Sequence, residues 1–280
     1  MKALSLRRFL FSTLAVAALA LAPVTSSLAA DKAGPKLGIQ TWTCRNMSFD
    51  QVVEFAVKHD IKNLQMIGKH IDPNGSKEDW AKKKAVLDSK GLTCYTFGVA
   101  GTSMKKEENK KLFEMAKFLG CKLIVVEPRD QAIWDNLEEL VKEYDIKLAI
   151  HNHGKGSVYG DPATVQKILD SRDKRIGVCM DVGWITAAGF DAAEVFKNYK
   201  GRVYDIHLKD KKIEKTQDGK EVYLDVEVGT GGANYKGLFA ELKKAKWNGV
   251  MAIETDNASF ANEPTKFVEA ASKFFKENVK

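Results

Sequence analysis

Between Lys36 and Glu254 the chain repeats one pattern eight times: a short apolar run, then an amphipathic stretch. The runs are KLGIQT from 36, IKNLQMI from 61, LTCYTF from 92, KLIVVE from 122, IKLAIH from 146, IGVCMD from 176, RVYDIH from 202 and GVMAIE from 249. Near-continuous apolar strands alternating with helices imply parallel strands buried on both faces. Eight such units in about 250 residues predict an α/β fold of the (β/α)8 TIM barrel type, one domain over residues 31–280. A doubly wound open sheet is the alternative, but no Gly-x-Gly-x-x-Gly follows the first run. Helix starts are written in Ser48-Phe-Asp-Gln51, a capping-box pattern, and in Asp161-Pro162; Gly91, Gly120 and Gly249 read as helix ends. The longest gap, after the seventh run, holds KIEKTQDGKEVYLDVEV, where Asp218-Gly219 predicts a hairpin overhanging the C-terminal face of the barrel.

Residues 1–30 form a separate segment. Lys2, Arg7 and Arg8 precede an apolar run beginning at Phe9, followed by Ser27-Leu28-Ala29-Ala30, the layout of a cleavable signal peptide. The run falls short of the about 20 apolar residues of a membrane span. Export to the periplasm or the exterior is therefore expected, with no stable membrane span after cleavage. The formal charge of +7 includes three basic side chains of this segment, and the remaining lysines alternate with acids on helix surfaces. That pattern argues for a solvated surface and against a nucleic-acid groove. Cys44, Cys94, Cys121 and Cys179 lie in or beside apolar runs without Cys-x-x-Cys spacing, and read as buried free thiols.

In such barrels the chemistry gathers at the C-terminal ends of the strands. Five consecutive runs end in Glu127, His151, Asp181, His207 and Glu254, all able to bind a metal or move a proton. Strand alternation then aims His153, Lys209 and Asp256 the same way as His151, His207 and Glu254. The same parity turns Asp205 inward below His207, where it needs Lys209, a ligand histidine or Lys147 as a partner. Two imidazoles with two carboxylates suit Mn, Co, Zn or Fe as a divalent metal ion, rather than the all-oxygen preference of Mg or Ca.

The segments GIQTWTCR, AIHNHG, GVCMDVGW, VYDIHLKD and MAIETDN together resemble the xylose isomerase-like TIM barrel superfamily, the sugar phosphate isomerase/epimerase family. The resemblance implies metal ligands at His151, Asp181, His207 and Glu254. It also implies an isomerase or epimerase acting on a keto-sugar through an enediolate, with Glu254 as one base. Many epimerases of the family pair two glutamates, and here His151 stands where the first would be. A branch with the IHNHG form is associated with 3-keto-glycoside lyase/hydratase chemistry, elimination across C1–C2. There Glu127 or His153 would be the base and Lys209 would stabilise negative charge, while Trp42, Phe97 and Trp184 would wall the substrate.

Two rival readings come from other features. GTGGANY, residues 229–235, leads into a helix where barrels often bind phosphate, though a turn closing the hairpin explains it equally. An exported, non-catalytic carbohydrate-binding protein would need no proton-transfer groups beside a metal. The expected partner is a small-molecule carbohydrate, with no nucleic acid, for a monomer or an oligomer.

Overall fold

The computed structural model describes residues 34–199 and 201–279. The signal-peptide expectation, residues 1–30, lies outside them. Ten strands are present among the described residues: β1 Lys36–Gln40, β2 Asn63–Met66, β3 Thr93–Ala100, β4 Leu123–Val126, β5 Lys147–His151, β6 Ile176–Asp181, β7 Val203–Leu208, β8 Asp210–Lys215, β9 Glu221–Val226 and β10 Val250–Ile253. Eight of them close a parallel barrel in the order β1-β10-β7-β6-β5-β4-β3-β2, while β8 and β9 pair as a separate antiparallel hairpin. Every predicted run supplies one barrel strand, and the open-sheet alternative is excluded by closure.

The helices are α1 Phe49–Lys58, α2 Lys77–Ser89, α3 Lys106–Leu119, α4 Ile133–Tyr144, α5 Pro162–Ser171, α6 Val182–Ala187, α7 Ala192–Asn198, α8 Tyr235–Lys244, α9 Ala258–Asn262 and α10 Pro264–Asn278. The capping box forms: Ser48 Oγ accepts from Gln51 N at 3.3 Å and Gln51 Oε1 accepts from Ser48 N at 2.8 Å. Asp161 caps α5 through Ala163 N at 2.8 Å, with Pro162 in the first turn. One helix end differs from expectation. Lys246, with φ 51°, makes the left-handed turn after α8, so Gly249 only leads into β10.

The alternation of the strands separates two apolar clusters. Leu123, Val125, Ala149 and Cys179 fill the barrel interior, whereas Ile124, Val126, Leu148 and Ile150 point outward into the layer shared with the helices. Full burial of such an aliphatic side chain contributes about 1.5–3 kcal/mol, so the polar residues set among them are the exception to explain. The four cysteines are buried and free. Burial pushes the Cys44 thiol up to about 12, which makes it inert at neutral pH.

The glycine-rich turn has a structural occupant. The carboxylate of Asp210 accepts from the backbone N–H of Lys211, Gly229, Gly231 and Ala233 at 2.9, 3.0, 2.9 and 3.1 Å. These donors would be the ones to cradle a phosphate, and an internal anion already takes them. No helix among the described residues is long and apolar enough to cross a membrane.

Candidate metal centre

At the C-terminal rim, His151, Asp181, His207 and Glu254 each offer one ligand atom, and the four atoms lie within 4.8 Å of one another. Asp181 Oδ2 is 3.5 Å from His151 Nε2 and 3.6 Å from His207 Nδ1, while Glu254 Oε2 is 3.1 Å from His207 Nδ1. Ligands held about 2.0–2.2 Å from one ion stand at such separations. His151 Nε2, Asp181 Oδ2 and His207 Nδ1 are also buried without any hydrogen-bond partner. Buried polar atoms are rarely left so, and three converging on one point fit a divalent cation with nitrogen and oxygen ligands.

Neighbouring groups fix how these ligands present themselves. Gln65 Oε1 lies 3.0 Å from His207 Nε2. The amide oxygen only accepts, so Nε2 carries the proton and Nδ1 keeps its lone pair for a metal. Asp181 divides its two oxygens: Oδ1 caps α6 through Trp184 N at 2.8 Å, and Oδ2 faces the histidines. Asn152 brackets the same strand end, its amide accepting from Asp181 N at 2.9 Å and donating to Asp181 O at 3.2 Å. Burial would raise the Asp181 carboxyl, but the Lys209 ammonium and the two imidazoles hold it well below the usual carboxylate range.

Lys209 is buried among carboxylates. Its ammonium lies 3.4 Å from Asp181 Oδ2 and 3.1 Å from Glu254 Oε2, and also bonds Asp256. Burial would lower it, yet Asp181, Glu254 and Asp256 raise it well above the ordinary lysine value. It therefore neutralises the ligand carboxylates as a permanent cation.

Glu127 and His153 meet directly, Glu127 Oε2 standing 2.6 Å from His153 Nδ1 and 3.6 Å from His151 Nδ1. Burial opposes ionisation of Glu127, but the nearby His151 imidazole and the hydrogen bond from His153 prevail and hold its carboxyl at about 2. An ionised Glu127 accepting from Nδ1–H leaves His153 Nε2 free to take a proton. The His153 side chain is 42% exposed, so that nitrogen is reachable from solvent. His151, His153, Glu254, Trp42, Gln40 and Lys69 line a cavity of about 360 Å³ above the rim.

The three aromatic residues separate. Trp42, 43% exposed, stands on this cavity with Arg45 over its ring at 5.0 Å. Trp184 packs against His153 at 5.6 Å and covers the Lys211 ammonium at 3.7 Å. An added Cβ on Gly154 would come within 2.7 Å of the Trp184 ring, which accounts for the glycine of the HNHG segment. Phe97 is 1% exposed and lines a neighbouring cavity instead.

Parity placed Asp205 inward and named a ligand histidine among its partners, which His207 is, but it did not find Tyr95 or Cys179. The Tyr95 hydroxyl donates to Asp205 Oδ1 at 2.9 Å, Cys179 Sγ lies 3.4 Å from Oδ2, and His207 Nε2 is 4.0 Å away. Lys147 takes no part, its ammonium lying over the Tyr204 ring at 4.4 Å. Sequence reasoning also missed Gln65, Lys211 and Asp225. Asp225, from the hairpin, bonds the Lys211 ammonium and accepts from Thr255 Oγ1 at 2.9 Å and Asp256 N at 2.6 Å, tying the overhanging β9 to the end of β10. A polar residue inside an apolar run was the available signal for Gln65; Asp225 had none.

Fold and site together define an α/β barrel with a candidate metal centre at the C-terminal ends of its strands. The chain belongs to the xylose isomerase-like TIM barrel family, whose match covers residues 53–278. An inosose dehydratase of Clostridium perfringens (strain 13 / Type A) is 26% identical over 237 residues, spanning 70% of this chain and 80% of that protein. A sugar phosphate isomerase/epimerase from Parabacteroides distasonis superposes with TM-score 0.66 at 19% identity, covering 90% of this chain and 100% of the other. The IOLI protein, solved with a bound zinc atom, gives TM-score 0.68 at 18% identity over 85% of this chain and 95% of its own. These two structural likenesses concern the fold.

Proposed function

We propose that the protein is a metal-dependent lyase that eliminates an oxygen substituent from a keto-cyclitol or keto-sugar. The observation that carries this reading is the Glu127–His153 pair at 2.6 Å, a single oriented base beside four convergent ligand atoms. The similarity to an inosose dehydratase supports the same class of reaction.

A ketone acidifies the C–H bond next to it, and His153 Nε2 is free to accept that proton while Glu127 stabilises the resulting imidazolium. The C–H electron pair becomes the C=C bond, and the adjacent C–O bond breaks with its electrons on the departing oxygen. That oxygen takes up the proton carried by the His153 imidazolium, so the substrate loses water or an alcohol and the imidazole returns to its neutral form. A divalent cation held by His151, Asp181, His207 and Glu254 would polarise the carbonyl oxygen. Mn, Co, Zn and Fe all suit this ligand set. Lys209 keeps Asp181 ionised, and Trp42 offers an apolar face at the mouth.

Isomerisation or epimerisation is the second reading, favoured by the family fold. Two-base epimerisation needs a free base on each face of the substrate, whereas Glu254 Oε2 is engaged at 3.1 Å by the Lys209 ammonium and converges with the other three candidate ligand atoms. Export directed by residues 1–30 belongs to the same proposal; N-terminal sequencing of protein recovered outside the cytoplasm tests it. For the reaction, metal-loaded protein is offered an inosose and a 3-keto-glycoside in deuterium oxide. Release of water or alcohol with a new ultraviolet-absorbing enone supports elimination. Deuterium entering an otherwise intact substrate would replace it with the second reading, and inertness with every divalent metal would leave a carbohydrate-binding protein.

A further inference from the structure

His151 differs from His207 in how its ring is partnered. His207 has Gln65 on one nitrogen, whereas His151, 3% exposed, has no hydrogen-bond partner for either Nδ1 or Nε2 among the described residues. A buried imidazole left so on both sides is costly. The metal centre accounts for Nε2, which faces Asp181 Oδ2 at 3.5 Å. It does not account for Nδ1. That nitrogen faces Glu127 Oε2 at 3.6 Å, beyond hydrogen-bond range, while His153 Nδ1 meets the same oxygen at 2.6 Å. Glu127, His151 and His153 thus offer a second set of ligand atoms within 4.8 Å of one another, sharing only His151 with the first.

The fold holds this second set in place. Val126 of β4 pairs with Ile150 of β5, and that register brings Glu127 beside His151. The His151 and His153 rings stand 4.7 Å apart at 77°, edge to face, and Trp184 backs His153 at 5.6 Å. The side chains of Glu127 and His153 are 20% and 42% exposed, so the set opens to solvent on its outer side. Two imidazoles with one glutamate form a complete protein ligand set for zinc, with a further position left for water.

We propose that Glu127, His151 Nδ1 and His153 Nδ1 form a second divalent-cation site, filled only when metal exceeds one equivalent, and that filling it inactivates the protein. The inactivation rests on the elimination reading; the site itself does not. With Nε2 of His151 committed to the metal centre, the proton of that ring sits on Nδ1, and an incoming cation displaces it to solvent. The proton of His153 moves from Nδ1 to Nε2 as the cation takes the Nδ1 lone pair. Nε2 then carries a hydrogen and no longer accepts one from substrate. Glu127, bound to the cation, no longer serves His153. The two cations flank one imidazole ring and repel each other, so the second binds more weakly than the first.

The test titrates chelator-treated protein with zinc alone, wild type beside Glu127→Ala and His153→Ala. Melting temperatures are compared first, and either variant suffices if the other melts low. Calorimetry, with metal analysis after dialysis against zinc buffers, counts the bound ions. Wild type should bind two ions in sequence and each variant one. Each substitution should weaken the second ion by about 100-fold or more, since losing even an outer hydrogen-bond partner of a ligand costs roughly 10–100-fold. Turnover of whichever ketone reacts should rise up to the first equivalent. It should then fall about 100-fold or more as the second binds, the low end of what a general base contributes. One ion in wild type, or further ions bound equally by both variants, overturns the site and leaves adventitious surface binding only. A second ion lost in the variants, with wild-type turnover unmoved by it, overturns the inactivation. Should no ketone react, elimination fails and the inactivation with it, while the ion count still decides the site.

Discussion

Glu127 Oε2 and His153 Nδ1 are 2.6 Å apart, joining the ends of β4 and β5 through one short charge-assisted hydrogen bond. The bond fixes the tautomer of His153 and orients its free nitrogen over the rim. His153→Ala should therefore lower kcat by about 10²–10⁴ while leaving bound metal stoichiometric. Glu127→Gln should cost less, roughly 10–100-fold, because it perturbs orientation and keeps the imidazole. Steady-state kinetics with metal analysis checks both. Because Glu127 is held at about 2, its protonation does not produce an acid limb in mildly acidic solution. Such a limb should persist in Glu127→Gln; its disappearance there would assign the limb to Glu127.

Asp181 combines two tasks that substitution can separate. Oδ1 caps α6 at Trp184 N, 2.8 Å away, and Oδ2 faces the two histidines. Asp181→Asn keeps an oxygen for the cap and removes the charge; Asp181→Ala removes both. Both variants should purify without bound metal and without turnover. In metal-free protein, alanine should cost about 0.5–2 kcal/mol more than asparagine for the lost cap, or about 2–4 °C per kcal/mol in a domain of this size. Equal melting temperatures for the two would deny the cap any energetic role.

The barrel was legible because its strands are buried on both faces, so each appears as a local apolar run of KLIVVE type. The convergence of His151, Asp181, His207 and Glu254 was legible for a related reason: strand polarity puts the last residue of every run on one rim, whatever the distance in sequence. What stayed hidden is long-range pairing among polar residues. Tyr95 reaches Asp205 across 110 positions, and Gln65 reaches His207 across 142. Neither the tyrosine of LTCYTF nor the glutamine of IKNLQMI carries a local mark of its partner. The Lys211–Asp225 pair depends on how β8 and β9 fold back, where two facing charges in a hairpin ordinarily read as solvent-exposed.

Asp205, within the barrel, is pushed up to about 6 by burial, against the Tyr95 and Cys179 hydrogen bonds and the charge of His207. Its folded value exceeds the unfolded one, so the folded state binds the extra proton between about pH 4 and pH 6. Stability contributed by this group is thus present at low pH and lost as pH rises through that window, by roughly 3 kcal/mol at about 1.36 kcal/mol per unit. Asp205→Asn should flatten that part of the stability profile in chelator-treated protein and raise stability at neutral pH. Urea unfolding at pH 4, 5, 6 and 7 reads the slope; an unchanged slope would mean that Asp205 ionises as readily folded as unfolded.

Asp210 supplies the anion that the glycine-rich turn is built around, its two oxygens accepting from Lys211, Gly229, Gly231 and Ala233. Removing it in Asp210→Ala strands four backbone donors, at about 1–3 kcal/mol for each that water fails to reach. The variant should melt well below wild type, and the vacated nest should then take an external anion. Sulfate or phosphate at millimolar concentration should raise the melting temperature of Asp210→Ala and leave wild type unmoved, an uncharged sugar of equal concentration serving as control. Phosphate stabilising wild type to the same extent would mean that the four donors are available to a ligand despite Asp210, and would return a phosphorylated substrate to consideration.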